Sequence, residues 1–90
     1  MYNIKQYSYD QANKLNVEIF PSVNPRKKID VFKNGLFLFS IGDIRYGDFP
    51  TFLEIDYDTA VNRRRLYKLR HAKDLKKIET KAYYSNLILW

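Results

Sequence analysis

Ninety residues carry 16 Lys and Arg against 10 Asp and Glu, a formal charge of +6, and no cysteine. Disulfides and cysteine-ligated zinc are therefore excluded, and a reducing compartment is favoured. No apolar run reaches the roughly 18–20 residues of a membrane span, and Met1-Tyr-Asn-Ile-Lys-Gln-Tyr7 lacks the apolar stretch of a signal peptide. A chain this short buries only about 60–65% of its unfolded surface, so a single domain over residues 1–90 with one core is expected. Its 17% aromatic content supplies bulk for that core. The positive balance points to an acidic partner: nucleic acid, an anionic membrane or an acidic protein.

In chain order, Ser8-Tyr-Asp-Gln11 fits a capping box, predicting a short helix through about Leu15. Asn16 to Phe20 then alternates, with Val17 and Ile19 on one side, as a half-buried strand does. Pro21 ends it, because proline cannot donate to a ladder. A loop over 22–27 runs into the basic run Arg26-Lys27-Lys28. Asn34-Gly35 between Ile29–Lys33 and Leu36–Ile41 predicts a two-residue hairpin, since both turn positions need positive φ. Unbroken register would pair Lys33 with Leu36, Phe32 with Phe37, Val31 with Leu38, Asp30 with Phe39 and Ile29 with Ser40. One face would hold Ile29, Val31, Leu36 and Leu38, and the other Phe32, Phe37, Phe39 and Ile41. Phe32, Phe37 and Phe39 are expected to be core, packed by a helix.

Residues 42–52 read as a loop, with N-cap candidates at Asp56 to Thr59. A strong helix is predicted from about Asp58 to Asp74, free of Gly and Pro, with Arg70 and Asp74 placed to pair. Ala82 to Trp90 reads as a last amphipathic helix or turn. The expected fold class is α+β. A small antiparallel hairpin or three-stranded sheet packs against the basic helix, with short N- and C-terminal helices.

The basic helix carries the main chemical signal. Arg63, Arg65, Lys68, Arg70, Lys73, Lys76 and Lys77 form a candidate nucleic-acid-binding set, because clustered cations gain affinity by releasing condensed counterions. Arg64 and His71 fall on the apolar side by helical phase. They are expected to be a structural polar pair, with Asp43, Asp48 and Asp56 as candidate partners. The residues form no catalytic constellation, metal site or cofactor motif: one histidine with scattered carboxylates lacks the necessary spacing. A membrane partner is not expected, since the basic helix lacks a continuous apolar face edged by Trp or Phe.

Several segments together resemble short proteins of tailed phages and nucleocytoplasmic large DNA viruses. They are Lys27-Lys-Ile-Asp-Val-Phe-Lys-Asn-Gly35, Ser40-Ile-Gly42, Tyr46-x-Asp48-x-Pro50, Arg64-Arg-x-Tyr-x-x-Arg-His71-x-x-Asp74 and Tyr83-Tyr84 leading to Leu89-Trp90. The resemblance runs from Ala12 onward, and Thr80-Lys-Ala82 departs from the Gly or Thr-Ala-Gly usual before the aromatic pair. It implies a viral origin and no particular activity. The expectation is a small, non-enzymatic viral accessory protein of the host cytoplasm or virion that binds nucleic acid. The alternative is a virion structural or interaction protein that binds an acidic surface of a capsid or host protein.

Overall fold

The computed structural model describes residues 1–90 and shows an α+β chain with a three-stranded antiparallel sheet and four helices. The chain divides into two compact units, Met1–Tyr46 and Gly47–Trp90.

The first unit holds α1 (Gln6–Lys14), β1 (Glu18–Pro21), β2 (Lys27–Lys33) and β3 (Leu36–Asp43). The predicted capping box does not form. The helix begins at Gln6 with Lys5 at its N-cap, and Ser8 is fully buried inside the first turn. Ser8 and Ala12, four apart, make the inward row of α1. The helix ends in a Schellman motif. Asn16 takes φ 57°, its N–H donates to the Asn13 carbonyl, and the Val17 N–H donates to the Ala12 carbonyl. That reversal delivers Val17 and Ile19 to the buried side, as their alternation predicts.

Asn34 (φ 53°) and Gly35 (φ 78°) make the expected hairpin turn, and Lys33–Leu36 and Phe32–Phe37 pair as expected. A bulge then overturns the rest of the predicted register. Leu38 has no cross-strand partner, and Val31 meets Phe39, Asp30 meets Ser40 and Ile29 meets Ile41. One extra residue flips every later side chain of a strand to the other face. Here it gathers Ile29, Val31 and Ile41, all fully buried, beside Ile19 on one face. It also places Ser40 beside Asp30 on the other.

The predicted phenylalanine core is corrected by the same bulge. Phe39 faces Val31, whereas Phe32 and Phe37 lie on the opposite face with Phe20. Phe32 meets Phe20 at 5.5 Å and 85° and Phe37 at 5.6 Å and 73°, both edge to face. Phe20 and Phe37 remain 51% and 56% exposed.

Asp30, only 4% exposed, accepts from Ser22 Oγ (2.6 Å), Ser40 Oγ (2.6 Å) and the Val23 N–H (3.2 Å). Burial alone pushes its carboxyl up. The bonds from Ser22, Ser40 and Val23 outweigh burial and leave it below its ordinary value.

The second unit holds α2 (Phe49–Leu53), α3 (Tyr57–Arg70) and α4 (Lys81–Leu89). Part of the predicted 42–52 loop is therefore helical. Buried Asp48 accepts from the Thr51 N–H at 2.9 Å, and Pro50 sits in the first turn, where a missing N–H costs nothing. Asp56 caps α3, accepting from the Thr59 N–H (2.9 Å) and hydroxyl (2.7 Å); these bonds hold its carboxyl below the ordinary value. Thr80 Oγ1 caps α4 through the Tyr83 N–H at 3.3 Å. Tyr84, Ile88 and Leu89 of α4 are buried.

Candidate nucleic-acid interface

Helix α3 is shorter than the predicted 58–74 span. It stops at Arg70 and the chain turns at His71, with the Asp74 N–H donating to the His71 carbonyl. The expected Arg70–Asp74 pair consequently does not form. Lys73, Lys76 and Lys77 stand on turns beyond the helix, all three exposed.

At about 100° per residue, Ala60, Arg64, Tyr67, Lys68 and His71 fall on one side of α3. These five are buried or half-buried, while every other residue from Tyr57 to Arg70 is exposed. The inward side is thus built from cations and rings rather than aliphatic residues. The Arg64 guanidinium lies 3.4 Å from the centroid of the Phe49 ring, close enough for stacking and cation–π attraction together. Tyr67 stacks on Trp90 at 4.6 Å and 10°, meets the His71 ring at 4.4 Å, and donates to Ser85 Oγ at 3.3 Å. Lys68 Nζ donates to Asn86 Oδ1 at 2.7 Å. Burial lowers the Lys68 pKa, and the neighbouring Arg64 charge lowers it further.

Phe52 lies 6.3 Å from Trp90, tilted by 44°, and the Arg63 guanidinium lies 5.6 Å from the Phe52 ring centroid. Gly47 makes room for that ring: a Cβ there would come within 2.4 Å of it. Tyr67 and Trp90 are legible in the sequence as packing residues, whereas Phe49 and Phe52, in the stretch read as loop, are not. Their one local signal is Asp48-Phe-Pro-Thr51, a cap and first-turn proline that announce α2.

The predicted binding set therefore divides. Arg63, Arg65, Arg70, Lys73, Lys76 and Lys77 are exposed and meet no carboxylate within ion-pair distance. Arg65 instead donates to Asn62 Oδ1 at 2.8 Å, three residues back on the helix. Lys68 turns inward. Arg64 and His71 also lie inward, as helical phase predicts, each against a ring. Of their candidate partners, Asp43 is clasped by Arg45 (2.7 Å), which holds its carboxyl well below the usual range, and Asp56 is occupied by Thr59. No group of three or more His, Asp or Glu is placed to hold a metal ion.

Residues 59–73 contain no acid, so beyond its first turn the outward side of α3 is positive. Comparison with protein-family models, with curated proteins and with solved structures returned no match.

Proposed function

We propose that this chain binds nucleic acid, with Arg63, Arg65, Arg70, Lys73, Lys76 and Lys77 as its phosphate contacts. The observation that supports this most is the sorting of cations in the second unit. Arg64 and Lys68 are turned inward onto a ring and an amide, whereas these six are exposed with no carboxylate to neutralise them, Arg63 among them although it also lies over the Phe52 ring. Arginine's planar fork suits phosphate, and each cation that meets one releases condensed counterions. Contacts of this kind position the partner and carry no sequence information. The resemblance to viral proteins supports a role in the host cytoplasm or virion.

Titration of a fluorescent random-sequence duplex against rising salt tests the proposal. If all six cations met phosphate, log K would fall with log salt at a slope of about −5. Replacing Arg70, Lys73 and Lys77 together by Gln is expected to flatten that slope by about three. No binding at low salt, or a slope unmoved by the triple substitution, overturns the proposal.

A second reading, an interface for a capsid or host protein, is favoured by a different observation. Phe20 and Phe37 present exposed ring area on one sheet face, joined through Phe32. Its test is co-sedimentation with purified particles at high salt, retained by the wild type and lost on Phe20→Ser with Phe37→Ser.

A further inference from the structure

The outward side of α3 is not uniformly basic. Directly opposite the inward row, helical phase brings Asn62, Leu66 and Leu69 into one strip. Leu66 is 39% exposed and Leu69 63%. Arg63 and Arg70 border the strip on one side and Arg65 on the other. Phosphate contact alone has no use for this apolar centre. These two leucines face water on the same helix whose Arg64 and Lys68 turn inward.

We infer that α3 is a reading helix for the major groove of double-stranded DNA, its leucine strip facing the bases and its arginines reaching the phosphates on both sides. The inference rests on the nucleic-acid reading above and names the class of nucleic acid. Charge complementarity selects the occupant: the strip is bordered by cations on both sides, as the groove is bordered by phosphates on both sides. The dimensions agree. A helix with its side chains is about 10–12 Å across, and the major groove of B-form DNA is about 12 Å wide. The fourteen residues of α3 span about 21 Å, enough to lie along a groove wall.

The chemistry of the strip then specifies the bases. An apolar side chain at the groove floor has one apolar group to meet, the thymine methyl. Asn62, whose Oδ1 accepts from Arg65, keeps its amide N–H groups for a base-edge acceptor such as thymine O4 or adenine N7. RNA helices are excluded, because their major groove is too deep and narrow for side chains to read and uracil lacks the methyl. Asp58, four residues before Asn62, lies in line with the strip in the first turn of α3, so the part that faces the groove runs from Asn62 to Leu69.

The test compares a fluorescent random-sequence DNA duplex, the same pool with deoxyuridine replacing thymine, and an RNA duplex, all with the full chain. Covering one methyl is worth about fourfold in affinity, so the thymine duplex is expected to bind at least about fourfold more tightly than the deoxyuridine duplex. Leu66→Ser with Leu69→Ser is expected to erase that preference and leave the salt slope unchanged. Both leucines are exposed, so a thermal melt of the variant should match the wild type.

Equal wild-type affinity for the thymine and deoxyuridine duplexes overturns the inference, and that result needs no variant. A preference that survives the double substitution, or RNA duplex bound as tightly as DNA, overturns it as well. In each case steeply salt-dependent binding would leave the phosphate reading intact. No binding to any duplex at low salt would remove both readings together.

Discussion

The two units solve the problem of a small core in opposite ways. The first buries aliphatic side chains on one face of a sheet and admits two charged ones, Asp30, held by three internal hydrogen bonds, and Lys28, whose Nζ lies 5.3 Å from the Tyr2 ring centroid. The second buries only two large aliphatic side chains, Ile88 and Leu89, and leaves Ile55, Leu69 and Ile78 in water. It packs α3 through rings and cations, with Arg64 on Phe49 and Tyr67 between Trp90 and His71. The difference teaches that net charge is a poor guide to which cations face a partner. In the second unit some basic residues are packing elements, and only the remainder are free to meet an anion.

Substitutions should break each unit through its own device. Asp30→Ala leaves two hydroxyls and an N–H without their acceptor in a buried setting. It should destabilise the first unit by about 3 kcal/mol or more, read as lost amide-exchange protection in β1 to β3. Protection unchanged in those strands would show the network to be dispensable.

Trp90→Ala removes the ring stacked on Tyr67 and packed against Phe52. As Trp90 is half-buried, a cost of about 2–3 kcal/mol in urea unfolding is expected. Gly47→Ala drives a methyl against the Phe52 ring, which Trp90 and Arg63 restrain, for about 1–2 kcal/mol. A neutral effect would mean that Phe52 turns aside without loss.

Acid should act more gently, and on both units, since Asp56 of the second is also held below its ordinary value. The Asp30 and Asp43 carboxyls both lie below their ordinary value of 3.8 in the folded chain. Their contribution is present above that value and is lost as pH falls through the folded ones. Melting temperature should therefore drop below about pH 4, and Asp30→Asn should remove part of that dependence.

Much of the first unit was legible because its signals are local. Asn34-Gly35 specifies the turn, and the Val17/Ile19 alternation specifies the buried side of β1. The bulge at Leu38 was not legible: it is favoured by pairing Ile29 with Ile41 and Asp30 with Ser40, a comparison of whole registers rather than of neighbours. In the second unit, helical phase located Arg64 and His71 correctly, since inward direction follows from period alone. It could not say that Lys68 would find Asn86, eighteen residues away, or that α3 would end at Arg70. Nothing near Arg70 forbids continuation of the helix: the next Gly or Pro is absent through Trp90.

The most direct test of the division between packing and binding cations is a paired salt titration of duplex binding. Arg70→Gln, an outward change, should flatten the slope by about one. Lys68→Gln, an inward change, should leave it where the wild type lies. Equal flattening by both substitutions, or by neither, would contradict the assignment of α3's outward cations as the phosphate contacts.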